Sequence, residues 1–142
     1  MKPVTVPATL DSLGAIAEYV LAAAASAGLD KRAAYKLRLA VDEIVTNIIV
    51  HGYADAALQG ALELSADIAD GTLTVSIEDS GVAYDPRQAP LPDTSLPLEE
   101  RPIGGLGVYL AMKSVDEFHY ERVGDRNRST FKMHLSSLPS NE

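Results

Sequence analysis

The chain has 142 residues with no Cys and no Trp, and 12 basic against 20 acidic residues give it a net charge of −8. That length suits one domain with an ordinary core, and 46% hydrophobic with 23% charged residues is a globular composition. Disulfide, zinc-thiolate and thiol chemistry are excluded, broad nucleic-acid or anionic-membrane binding is disfavoured by the acidic balance, and no leader or long apolar run is evident beyond Tyr19–Ala25, so the expectation is a soluble cytoplasmic protein.

Residues 3–9 alternate Val4, Val6 and Ala8 with small or polar neighbours and Pro7, the pattern of an edge strand. Asp11 or Ser12 is placed to cap an Ala- and Leu-rich helix that runs to about Ala27 and stops at Gly28. Asp30 then caps the longest helix, about 31–51, with Leu37, Val41, Ile44 and Ile48 at helical spacing and Gly52 at its end. A period-2 strand over 61–68, an Asp70-Gly71 turn and a return strand through Leu73, Val75 and Ile77 form a hairpin. Ser80 to Pro102 holds five of the eight prolines and no apolar period, which marks a long functional or disordered loop. Glycines 104, 105 and 107 open a helix through about Val115. Strands at about 117–123 and 129–135 follow, around a Gly124-Asp125-Arg126-Asn127 turn, and a tail over 136–142 is expected to fray. The order β, α, α, β, β, loop, α, β, β predicts a single α+β domain, 1–142, with helices on one face of a mainly antiparallel, mixed sheet.

Three segments carry candidate chemistry. Glu43 and Asn47 stand one helical turn apart on one face. A carboxylate beside a neutral amide suits a general base and an oxygen ligand for a hard cation such as Mg²⁺, the plainer alternative being two solvated side chains. His51 continues the row as a helix-end cap or a catalyst. Asp79 follows a strand and is able to accept a hydrogen bond from an exocyclic amine, while Gly81 lets the backbone approach a flat ring; a simple Asp-Gly turn is the alternative. Gly104-Gly105-Leu106-Gly107 at a helix start exposes N–H groups that hold phosphates, or makes a structural loop. It fits neither the P-loop nor the Rossmann pattern.

Together these segments resemble the N, G1 and G2 boxes of the GHKL ATPase superfamily, and most closely the bacterial anti-sigma factor serine kinases of the RsbW/SpoIIAB type. Asp42 to Tyr53 is similar to that family's E-x-x-x-N-x-x-x-H-x-Y segment, and Ile103 to Leu110 followed by Asp116-Glu117-Phe118 to its G2 segment. The resemblance implies the Bergerat fold, a two-layer α/β sandwich, with ATP and Mg²⁺ as cofactors. It makes Asn47 the metal ligand, Glu43 the general base, Asp79 the acceptor of the adenine amine and Gly81 the residue beneath the ring. Residues 86–103 become a lid, Gly104, Gly105, Leu106 and Gly107 its phosphate-binding end, and Thr130 a support of the adenine network. Arg101 is placed near a γ-phosphate or stands as a solvated lid residue. Two departures stand out: Ala83 replaces the second glycine of D-x-G-x-G, and Tyr84 replaces the phenylalanine of F-D-P. The partners implied are a STAS-domain anti-sigma factor antagonist, phosphorylated on Ser or Thr, a sigma factor to sequester, and a second copy in a homodimer. The rival readings are a non-catalytic ATP-dependent binding switch and a plain interaction module.

Overall fold

The computed structural model describes residues 1–54, 56–83, 85 and 105–135. Period-2 alternation sorts the strand side chains into two sets. Leu62, Leu64 and Ala66 on β2 (Ala61–Ala69) and Leu73, Val75, Ile77 and Asp79 on β3 (Thr72–Asp79) are buried. Asn127, Ser129, Phe131 and Met133 on β5 (Arg126–His134) join them. The opposite set is mainly polar, with Glu63, Ser65, Ser76, Glu78, Arg128 and Thr130 among its members. With β1 (Val4–Pro7) and β4 (Glu117–Val123) at the edges, the sheet order is β1-β2-β3-β5-β4. Every pairing among the described residues is antiparallel, so the sheet is not mixed.

Only one face of such a sheet needs a cover, and three helices supply it. Helix α1 (Leu13–Ala27) buries Ile16, Tyr19, Val20, Ala23 and Ala24, and α2 (Lys31–Ile49) buries seven apolar residues from Leu37 to Ile49. Helix α3 (Gly105–Ser114) adds Val108 and Ala111, and α2 lies between the other two. Residues Leu10–Ala27 are long and apolar enough to pass a composition test for a membrane span, but their apolar side chains include those α1 turns into the core. Phe118 closes the β4 end, edge-on to Phe131 at 5.1 Å.

Local chemistry sets the ends. Asp30 caps α2, accepting from the Ala33 N–H at 2.7 Å. Ser12 occupies the cap position of α1 without capping it: its hydroxyl donates to the Pro7 carbonyl at 2.7 Å, and a 3₁₀ turn over Leu10–Ser12 leads into the helix instead. Asp70 and Gly71 have φ of 53° and 71°, the left-handed pair that a tight hairpin requires. Strand β5 begins at Arg126, three residues before the expected position, so the turn before it shortens to Gly124-Asp125. Asp30→Ala is expected to cost about 1 kcal/mol, the usual value of an N-cap, as a lowered urea midpoint with unchanged slope.

Candidate functional site

Helix α2 does not end at Gly52 as an α-helix. Its last turn widens into a π turn over Val50–Ala54 that buries Gly52 and Tyr53, a distortion frequent at functional sites. The turn after β3 locks onto it. The Val82 N–H donates to the Gly52 carbonyl at 3.1 Å, and the Ser80 N–H donates to the Tyr53 hydroxyl at 2.9 Å. A Cβ on Gly81 would stand 2.7 Å from the Gly52 carbonyl oxygen and 2.8 Å from the Tyr53 ring, so only glycine permits this contact. The flat ring that Gly81 meets among the described residues is therefore that of Tyr53.

Asp79 sits at the centre of this junction with 1% of its surface exposed. Its Oδ1 accepts from the Gly81 N–H at 2.8 Å, the Asn127 amide at 2.9 Å and the Tyr53 hydroxyl at 3.4 Å. Its Oδ2 is buried with no partner among the described residues. A buried carboxylate oxygen left unpaired is costly, and a ligand N–H donor would satisfy it. The adenine amine expected at Asp79 fits that vacancy in chemical type.

Thr130 does not join Asp79. It pairs with Ser76 on the solvent side of the sheet, whereas Ser129, one residue earlier, pairs with Ile77 on the helix side. Ser129 is 1% exposed and its hydroxyl has no partner among the described residues. The strand period of two decides the matter: a shift of one residue turns a side chain to the other face. Ser129, two positions along β5 from Asn127, is the hydroxyl on the Asp79 side.

Glu43 and Asn47 share a face of α2, as their spacing requires. The Asn47 amide nitrogen donates to the Glu43 carbonyl at 2.8 Å. Its donor end is thereby tied to its own helix, and the amide oxygen is left as the ligand atom, the donor type that Mg²⁺ accepts. Glu43 is exposed, and its carboxylate reaches across to the start of α3: a Cβ on Gly107 would come within 2.3 Å of Oε2. The neighbouring Asp42 is committed to Arg38, 3.4 Å away. Gly105 is the first residue of α3 and Leu106 the second. Gly104, Tyr84, Arg101, the lid over 86–103 and the tail over 136–142 lie outside the described residues.

Sequence reasoning passed over Tyr53 and Asn127 as site residues. Tyr53 had a visible signal, its fixed place at the end of the Glu43-Asn47-His51 row. Asn127 had none, because the turn that contained it looked like any polar turn. Burial pushes the Tyr53 phenol above its ordinary pKa, and the adjacent Asp79 carboxylate adds to the rise. A raised folded-state pKa means that the stability this hydroxyl supplies is intact at neutral pH and is lost as pH rises through that elevated value. Tyr53→Phe is expected to cost about 1 kcal/mol at neutral pH and to flatten the alkaline limb of the stability–pH curve, read by urea unfolding across that range.

The histidine kinase-like ATPase domain model matches residues 6–133, and the chain belongs to that family. Among curated proteins it is 29% identical over 103 residues to the serine/threonine-protein kinase BtrW of Bordetella bronchiseptica, covering 72% of each chain. It is 36% identical over 87 residues to the anti-sigma F factor of Clostridium novyi, covering 60% of this chain and 59% of that one. It spans about half the length of the serine-protein kinases RsbW it matches, at 52%. A crystal structure of the RsbU and RsbW domains of a Mycobacterium tuberculosis protein superposes over 96% of this chain and 33% of that one, with a TM-score of 0.62 at 20% identity. The histidine kinase domain of an Erythrobacter litoralis blue-light-activated kinase superposes over 92% of this chain and 62% of that one, at TM-score 0.54 and 20% identity. Both structures share the fold, and the α+β arrangement of helices over one sheet face agrees with the sequence expectation.

Proposed function

We propose that the chain is an ATP-dependent serine/threonine protein kinase and anti-sigma regulatory factor, acting in the cytoplasm on a STAS-domain anti-sigma antagonist and sequestering a sigma factor. The observation that carries the nucleotide site is the buried Asp79 Oδ2, without a partner among the described residues, on the same sheet face as the likewise unpartnered Ser129 hydroxyl. The names of its relatives, two protein kinases and an anti-sigma factor, support the choice of reaction and partner.

In this reading Asp79 Oδ2 accepts the adenine amine, with Gly81 and Tyr53 holding the turn that positions it. The N–H groups at the α3 start, at Gly105, Leu106 and Gly107, bind phosphate oxygens at the positive end of the helix. The Asn47 amide oxygen is the protein ligand for Mg²⁺, which supplies neutralisation of phosphate charge when bound. Glu43 accepts the proton of the partner's Ser or Thr hydroxyl, whose oxygen then bonds to the γ-phosphorus as the bond to the ADP oxygen breaks. Such a transfer depends on positioning and electrostatics more than on covalent chemistry. A homodimer through the exposed part of α1, with Leu21 and Ala25, belongs to the same proposal.

Calorimetry with Mg·ATP, followed by transfer of radiolabelled γ-phosphate to a co-encoded STAS protein, tests the reading. Saturable ATP binding and labelled partner are expected. Binding without label across the plausible partners would favour the non-catalytic switch, the reading to which Ala83, in place of the second glycine of D-x-G-x-G, lends weight. No ATP binding would remove both.

A further inference from the structure

We infer that Asn127 is a specificity-determining positioning residue: by fixing the Asp79 carboxylate it makes the site select a 6-aminopurine over a 6-oxopurine. The inference rests on the nucleotide reading above and adds a residue which that reading does not need.

Asn127 is 4% exposed and is the Cα partner of Asp79 across β3 and β5. Its amide is fully engaged and polarised in one sense. The two N–H groups are shared among Asp79 Oδ1 at 2.9 Å, the Gly81 carbonyl at 3.2 Å and the Val82 carbonyl at 3.2 Å. The amide oxygen accepts from the Tyr120 hydroxyl and from Arg122 Nη1 at 3.1 Å. The same Arg122 nitrogen donates to the Gly81 carbonyl at 2.9 Å. A flipped amide would press its oxygen against three oxygens and its nitrogen against two donors, so one orientation survives.

The consequence falls on Asp79. Three donors converge on Oδ1, one of them from Asn127 on a different strand, and none of the described residues donates to Oδ2. A carboxyl group free to rotate could exchange its oxygens and turn its acceptor edge away from a ligand amine. Held by Asn127, it offers a bare acceptor at Oδ2. A ring amine satisfies that acceptor. A ring carbonyl sets lone pairs against it, and sites that are built to hydrogen-bond one group reject strongly an analogue that cannot.

The test compares ATP with ITP, its 6-oxo counterpart, by calorimetry on the full chain with Mg²⁺, using the ratio of affinities as the readout. A merely structural role for Asn127 would weaken both nucleotides together and leave the ratio unchanged. The wild type is expected to prefer ATP by about 100-fold. Asn127→Asp keeps the side-chain shape but faces Asp79 with a second carboxyl group, and should reduce that preference to about threefold or less. Arg122→Gln, on an exposed side chain, leaves the core intact and should lower the preference by about threefold through the loss of its bonds to Asn127 and to the Gly81 carbonyl. A folded Asn127→Asp protein with the wild-type ratio overturns the inference, and if that variant fails to fold, an unchanged ratio in Arg122→Gln overturns it. Absence of ATP binding in the wild type is a different result and overturns the nucleotide reading itself.

Discussion

Glu43→Gln is expected to slow phosphoryl transfer to the partner hydroxyl by about 10²–10⁴, the range for loss of a general base, while ATP affinity stays within a few-fold. The separation follows from where the side chain points. Glu43 is exposed on α2, and its carboxylate reaches toward the start of α3 at Gly107. The hydrogen bonds that hold Asp79 come from Gly81, Asn127 and Tyr53, not from Glu43. The amide of glutamine keeps the shape and the proximity to Gly107 but does not take a proton. Gly107→Ala is a second route to the same loss. A Cβ there would lie 2.3 Å from Glu43 Oε2, and the mobile end of an exposed side chain yields before the helix does. Thermal stability should therefore barely change while transfer falls. Single-turnover transfer measured beside calorimetric affinity checks both variants. Equal transfer rates for wild type and Glu43→Gln would remove Glu43 as the base.

Asp79→Asn is expected to lower ATP affinity by about 10–100-fold, the loss of a buried polar contact made worse by an unpaired group. The asparagine oxygen can still accept from the Gly81 N–H and the Asn127 amide, so the turn keeps its form. The nitrogen then takes the Oδ2 position and sets a donor against the adenine amine. Asp79→Ala goes further. It strands the Gly81 N–H in a buried site, leaves the Asn127 amide only its longer bonds to the Gly81 and Val82 carbonyls, and should cost about 1–3 kcal/mol of folding stability, the range for one unsatisfied buried group. Calorimetry and urea unfolding on the two variants separate binding from folding. Full ATP affinity in Asp79→Asn would displace the base from this junction.

Much of the fold is legible in the sequence because local rules and burial agree there. The Leu37-Val41-Ile44-Ile48 row marks α2 on a 3.6-residue period, Asp30 caps it, and Asp70-Gly71 folds the hairpin. The places where the reading slips are those where tertiary contacts decide. Ser12 is a good cap in isolation, yet the Pro7 carbonyl competes for its hydroxyl. β5 runs through Arg126, Asn127 and Arg128, poor strand formers, because β3 offers partners as far as Asp79 and because Arg126 and Arg128 pair with Glu78 across the sheet. The period of two that buries Phe131 and Met133 sets Ser129, and not Thr130, on the buried side. Glu43, Asn47, Asp79 and Gly81 were singled out as candidates by spacing and residue type, and the family resemblance gave them their expected roles. Asn127 and the clasp formed by Tyr53 became visible only when segments distant in the chain came together.

The direct pairing of β3 with β5 has a consequence for how this domain tolerates change. Asp79 and Asn127 are Cα partners, so the chain that leaves β3 at Ser80 passes through α3 and the edge strand β4 and comes back beside its point of departure. A flexible part of such an excursion adds only about 0.6 kcal/mol of closure cost when its length doubles, and none of that burden reaches the registers on either side. A change of length in the connection from Val82 to α3 therefore leaves those registers in place, whereas one within Ser80–Val82 would break the contacts to Gly52 and Tyr53. The hydrogen-bonded junction of Asp79, Gly81 and Asn127 keeps its form because its partners come from β3, the turn after it and β5.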